Sequence, residues 1–309
     1  MSVNLRAAAA DYLAWRRARG YRLECHDSLI AGFLAGLEAR SVTVIRVADA
    51  LEFARDTPST RRRRPAQRLQ VIRGLAAYVH ALDPAAAELI PHRLITGPVT
   101  RGIPYLYTSD QTEQLMARAA LLQPASIAAA LHTLIGLVAA TGMRSGEAFG
   151  LDVEDLDRDR KLLRVAGKYA KQRLVPLHPT TIEALDAYLV VRATTPAAPT
   201  GALFVGPRGG RINSNTARAL FRRVVNDCEL EPRPGCAAPR LHDFRHSFAV
   251  GSLIDVHRQG VDVDARIAVL AAYLGHVNPA NTYWYLTASP ELMTIVAERM
   301  SAHQHPSRP

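Results

Sequence analysis

Residues 126–147 read SIAAALHTLIGLVAATGMRSGE, and this stretch decides the fold. From 126 to 140 apolar residues surround the helical wheel instead of striping one side, so the spacing predicts a helix buried at the centre of a domain. Thr141 and Gly142 stop it, because glycine takes up the left-handed cap conformation without steric cost. Arg144 then stands where a new helix begins, a place where free backbone N–H groups favour an anion.

Toward the carboxyl terminus three short extended segments follow, at 153–156, 162–166 and 173–177, with a tight turn between the second and third. Helices resume at 180–192, 213–228, 242–258, 265–274 and 290–300, and residues 301–309 read as a flexible tail. Toward the amino terminus Ser109 is placed to cap a helix running to about residue 122. Pro91, Pro98, Pro104, Gly97 and Gly102 mark a linker before it. Residues 1–90 repeat helical spacing in Leu5, Tyr12, Leu13 and Trp15, then in Leu29, Phe33, Leu34 and Leu37, then in Val47, Leu51 and Phe53. A longer helix capped by Ser59 or Thr60 buries Leu69, Ile72, Leu75 and Val79. The expected organisation is a helical domain at 1–90, a linker at 91–104 and a second domain at 105–300. The expected fold is mainly α, with a small antiparallel β-sheet in the C-terminal domain.

The chain has 309 residues, 48% of them hydrophobic and 21% charged, the profile of a soluble protein with a real core. No stretch reaches the roughly 20 apolar residues of a membrane span. The nearest, 128–143, carries His132 and Thr133, so no membrane association is expected. The first residues show no apolar run behind a basic start, so no secretory signal is expected. Cys25, Cys228 and Cys236 are odd in number and far apart, which suits neither a disulfide framework nor a four-thiolate zinc site. A cytoplasmic location is expected. Thirty-eight basic against 28 acidic residues leave a charge of +10, which points to a polyanionic partner. Among those basic residues only Lys161, Lys168 and Lys171 are lysines; the other 35 are arginine. A chain that uses arginine wherever positive charge suffices has kept ammonium groups within eleven residues, where a proton could be given up.

Four clusters in the second domain hold candidate chemistry. They are Thr141-Gly142-Met143-Arg144-Ser145-Gly146-Glu147; Gly167-Lys168-Tyr169-Ala170-Lys171-Gln172-Arg173; Leu241-His242-Asp243-Phe244-Arg245-His246; and Leu274-Gly275-His276 with Tyr285 nine positions on. His242 and His246 have the i, i+4 spacing of a zinc pair, but Asp243 stands where a zinc protease has Glu, and Arg245 on the same face repels a dication. The residue types fit transfer of a phosphodiester. Arg144 and Arg245 can clamp equatorial oxygens of the reacting phosphate. Tyr285 can attack, with His242 taking its proton. Lys168 can protonate the leaving sugar oxygen, and His276 can bind the phosphate or orient the tyrosine. No metal ion, ATP or other cofactor is needed.

In their order and spacing these clusters resemble the tyrosine recombinase family, of the phage-integrase or Xer-like type. Its T-G-x-R-x-x-E stretch is matched by Thr141, Gly142, Arg144 and Glu147, and its hairpin G-K by Gly167 and Lys168. Its H-x-x-R box is matched by His242 and Arg245, its L-G-H by His276, and its nucleophile by Tyr285. Phe244 replaces the usual Leu. The resemblance implies a two-domain C-shaped clamp on double-stranded DNA, with a helical core-binding domain and a catalytic domain. It further implies a 3′-phosphotyrosyl intermediate, a free 5′-hydroxyl, a homotetramer on two recombination sites and, in some settings, a partner recombinase or accessory protein. It also docks the segment 290–300 into a neighbouring subunit. Arg61, Arg62, Arg63 and Arg64 are candidate DNA contacts, as are Lys171 and Arg173 in the hairpin. Two positions have rivals: Tyr283, which a helix would turn about 200° from Tyr285, and Lys171, which could take the place of Lys168. As a whole-chain reading, a type IB topoisomerase-like relaxase and a DNA-binding protein without catalysis remain the alternatives.

Overall fold

The computed structural model describes residues 3–21, 23, 25–56, 64–95, 103–167, 172–195, 201–232, 234–259, 263–275 and 293–294. The chain divides into two compact units, Met1–Arg101 and Gly102–Pro309. Among the described residues no helix is long and apolar enough to cross a membrane.

The first unit holds α1 (Leu5–Ala18), α2 (His26–Ala39), α3 (Val47–Arg55) and α4 (Arg64–Leu82). Asn4 caps α1, its side chain accepting the N–H groups of Arg6 and Ala7. Helix α4 supplies Leu69, Ile72, Leu75, Ala76 and Val79, all buried, and the other three helices pack their apolar faces on it. Gly74 lets α1 approach: a Cβ there would run into the Tyr12 hydroxyl. Trp15, which helical spacing places with the core, is instead 44% exposed, with the Arg19 guanidinium 3.9 Å from its ring centre. The expected caps Ser59 and Thr60 lie outside the described residues.

The second unit is built on α6 (Ala125–Thr141), which buries residues on every side, among them Ile127, Leu131, Leu134, Ile135 and Val138. Helices α5 (Ser109–Ala119), α8 (Pro179–Ala193), α9 (Ser214–Asp227) and α10 (Asp243–Arg258) pack around it. Thr108, not Ser109, caps α5. Its hydroxyl accepts the Gln111 N–H while the Gln111 side chain accepts the Thr108 N–H, and this reciprocal box shifts the start by one residue. The short α7 (Ser145–Gly150) follows α6, and α11 (Val263–Leu274) packs on α10.

The sheet is three-stranded and antiparallel, in the order β1 (Leu156–Asp157), β2 (Leu162–Ala166), β3 (Gln172–Pro176). The strand expected at 153–156 is mostly a 3-10 turn, Val153–Asp155, because the Asp155 carboxylate accepts the Asp152 N–H and curls the backbone. In β2 and β3 the register pairs Leu163 with Val175 and Val165 with Arg173. Leu163, Val165 and Val175 are buried, so the alternation of the pleat turns Arg173 toward the core. The helix expected at 290–300 and the tail lie outside the described residues, apart from residues 293–294.

Candidate active site

Helix α6 ends where Gly142 enters the left-handed region at φ 59°, and a Cβ there would strike the Phe248 ring on α10. Two residues later Arg144, in extended conformation, is the N-cap of α7. Glu147 reaches back from the first turn of α7. It accepts the Arg144 backbone N–H at 2.8 Å and the Arg144 Nη1 at 2.7 Å. The other terminal nitrogen of Arg144 donates to the Gly275 carbonyl at 2.9 Å.

Helix α10 delivers the second arginine. Its first residue, Asp243, is fully buried and accepts the Arg240 backbone N–H at 2.9 Å and the Arg240 Nη2 at 2.8 Å. Burial raises the Asp243 carboxyl above its ordinary range, against the pull of Arg240. Arg245 is only 2% exposed. It donates to the Gly142 carbonyl at 3.0 Å and to the Leu274 carbonyl at 2.7 Å. Arg144 and Arg245 therefore take successive carbonyls at the end of α11, groups that a helix terminus leaves without internal partners. Gly275 follows in the left-handed conformation at φ 67°, and the next residue in the chain is His276.

His242 caps the start of α10 with its ring 5.4 Å from that of His246, nearly perpendicular. Burial, and then the charges of Arg245, Arg240 and Arg144, bring its imidazole down to about 4, Glu147 opposing. At neutral pH it is an uncharged base beside three guanidiniums.

Arg173 on β3 meets Glu147 from the other side, with Nη1 to Oε1 at 3.0 Å and Nη2 to Oε2 at 2.8 Å. Burial pushes the Glu147 carboxyl up, but Arg173, the Arg144 backbone and the Arg144 side chain pull harder, and it comes to rest at about 2. The structure thus brings together Arg144, His242 and Arg245 with the turn that leads to His276. Arg173, expected as a DNA contact, has its forked donors on Glu147, because the register places it on the inner face of the hairpin. Lys168, Lys171, His276, Tyr285, Arg61, Arg62 and Arg63 lie outside the described residues; Arg64 opens α4, exposed. Sequence reasoning gave no role to the Arg240–Asp243 clasp, whose signal is an i, i+3 pair straddling a helix start, nor to Glu147 as the acceptor for two arginines.

Residues 106–291 match the phage integrase family. The chain belongs to that family. Over 304 residues it is 33% identical to y4rB of Sinorhizobium fredii, which bears an integrase/recombinase name, with 96% of each chain covered. It is also 33% identical over 233 residues to the tyrosine recombinase XerC of Mycobacterium tuberculosis, covering 74% of this chain and 70% of that one. Among solved structures, the fold is shared with the XerH site-specific recombinase on its difH substrate (TM-score 0.60, 21% identity, 82% of this chain and 72% of that one). It is shared as well with the Tn1549 transposon integrase on transposon-end DNA (TM-score 0.61, 16% identity, 96% of this chain and 99% of that one). Among its described residues the recombinase is mainly helical with one small antiparallel sheet, and it is an enzyme of the tyrosine recombinase class.

Proposed function

We propose that this recombinase cuts and rejoins double-stranded DNA at specific sites by transesterification through a 3′-phosphotyrosyl intermediate. One observation carries the reading: Arg144 and Arg245, distant in sequence, hold consecutive carbonyls at the end of α11, directly before His276, with the neutral His242 beside them. Two guanidiniums held by fixed backbone acceptors, that of Arg245 sealed from solvent, are suited to the charge that grows on a five-coordinate phosphorus. In this reading the Tyr285 oxygen attacks the scissile phosphorus and His242 accepts its proton. The bond to the 5′ oxygen breaks, and Lys168 protonates that oxygen to leave a free hydroxyl. Rejoining runs the same steps backward, with a 5′-hydroxyl from the same or a partner duplex as nucleophile. His276 donates to the phosphate. Arg61, Arg62, Arg63, Arg64 and Lys171 meet the backbone of the duplex, and four copies of the chain assemble on two sites. Two proteins of the same fold, XerH on difH and the Tn1549 integrase on a transposon end, were solved on DNA, which supports duplex DNA as the partner.

Covalent trapping tests this. Nicked duplexes from the genomic neighbourhood, incubated with the protein without metal or ATP and then denatured, are expected to show a protein–DNA adduct. It should vanish in Tyr285→Phe and persist in Tyr283→Phe. Lys168→Ala should slow its formation more than Lys171→Ala. Tight binding with no adduct would instead favour a DNA-binding protein without catalysis.

A further inference from the structure

The candidate site sets one carboxylate between two guanidiniums, and the chemistry above uses only one of them. The Arg173 side chain is 17% exposed. Its two terminal nitrogens are spent on Glu147 in a parallel, bidentate pair. Its Nε is buried and makes no hydrogen bond among the described residues. The same guanidinium lies against the turn before His276, since a Cβ on Gly275 would come within 3.2 Å of Nη1. Arg173 therefore touches both the acceptor that orients Arg144 and the backbone whose carbonyls Arg144 and Arg245 hold.

Charge decides what this arrangement does. Arg144 and Glu147 alone would form a neutral pair, with the Arg144 charge spent on a buried carboxylate. With Arg173 added, the trio keeps one net positive charge. We propose that Arg173 is a positioning residue that shares Glu147, so that Glu147 can hold Arg144 in place without neutralising it toward the scissile phosphate. This rests on the phosphotyrosyl reaction proposed above, and it reassigns Arg173 from DNA contact to a role exerted through Glu147.

The test is single-turnover cleavage of a nicked duplex at saturating DNA, comparing wild type, Arg173→Gln, Glu147→Gln and the double variant. Arg173→Gln should slow cleavage about 100-fold, the usual scale for loss of one preorganised charge interaction. Adding Glu147→Gln should bring the rate back to within about tenfold of wild type, because the neutral amide of Glu147→Gln still accepts from Arg144 and leaves its charge uncompensated. A purely architectural role predicts the opposite, a double variant as slow as the single or slower, and that result overturns the inference. Should Arg173→Gln not fold, the double variant, which removes the buried carboxylate together with its second guanidinium, decides alone by the same tenfold criterion. If wild type makes no adduct, the reaction reading falls, and the sharing of Glu147 is decided without DNA by carbon-13 titration of its carboxyl. The groups facing that carboxyl are Arg144 at the start of α7, Arg173 on β3 and His242 at the start of α10. In Arg173→Lys, which keeps the charge and loses the fork, the midpoint should rise from the wild-type position; an unmoved midpoint overturns the inference.

Discussion

Arginine does different work in the two units. In the first, Arg6 pairs with Glu38, Arg17 with Asp27, and Arg40 with Asp49 and Glu52, the arginine side chains being 43% to 60% exposed. At the candidate site of the second, Arg245 is nearly sealed from solvent, and the acceptors of Arg144, Arg173 and Arg245 are backbone carbonyls and a buried carboxylate, while exposed pairs such as Arg158–Asp186 lie elsewhere on that unit. Exposed pairs are screened by salt and contribute little to stability, so their arginines are free to exchange a carboxylate for a phosphate. Buried ones are oriented before any substrate arrives, which is what stabilising developing charge requires. The same residue type thus forms exchangeable surface pairs in the first unit and a fixed geometry at the candidate site of the second.

The sharpest way to break this contrast is Arg245→Ala. Cleavage should fall by about 10³-fold or more, since the preorganised donor proposed for the reacting phosphate is removed. Stability should fall with it. The Gly142 and Leu274 carbonyls lose a donor, and a buried polar group left unsatisfied costs about 1–3 kcal/mol. Thermal unfolding together with the trapping assay checks both. An unchanged Tm would show that Arg245 does not tie the end of α6 to the end of α11.

A smaller effect is expected from His242, whose electrostatics follow from the buried arginines around it. Its folded-state imidazole lies at about 4, held down first by burial and then by Arg245, Arg240 and Arg144. The unfolded chain takes up that proton near 6.5, its ordinary position. The folded state binds the proton more weakly, so the stability contributed by neutral His242 is complete above about pH 6.5 and is lost as pH falls toward 4. Glu147 acts in a separate window. Its carboxyl sits at about 2, so its contribution is lost only as pH falls from about 4.5 through 2. Tm followed from pH 7 to 4 should therefore decline less in His242→Gln than in wild type. Parallel curves would remove the buried-base reading of His242.

The sequence made legible whatever is local. The all-round apolar run that becomes α6, its stop at Gly142, and the hairpin strands at β2 and β3 each depend on neighbours a few residues away. The order of Arg144, His242 and Arg245 could be read as well, because the chemistry they share restricts residue type. Their partners could not. Gly142 lies 103 residues from Arg245 and Leu274 lies 29 residues away, and backbone carbonyls leave no mark in a sequence. The surroundings of Arg173 are illegible for a different reason. A basic residue near a turn suggests solvent, yet pairing with Val165 sets it on the inward side of the pleat. Likewise Asp152 and Asp155 turned an expected strand into a 3-10 turn through a side-chain bond that competes with sheet pairing.

The weakest expected effects test the first unit, and they matter because they should leave folding untouched. Removing the Arg6 partner with Glu38→Gln breaks an ion pair whose two side chains are 60% and 50% exposed, and Tm should hardly change. Replacing Arg61, Arg62, Arg63 and Arg64 with Gln should also leave Tm nearly unchanged, but it should weaken DNA binding for every sequence alike. If these arginines sit on phosphates, the slope of log affinity against log salt becomes shallower by about 0.9 for each phosphate no longer neutralised. Binding isotherms at several salt concentrations, with thermal unfolding alongside, separate the possibilities. A large drop in Tm for Glu38→Gln would mean that the surface pairs are structural after all. An unaltered salt slope for the four-arginine variant would place the DNA on another face of the unit, and the division between exchangeable and fixed arginines would then have to be drawn elsewhere.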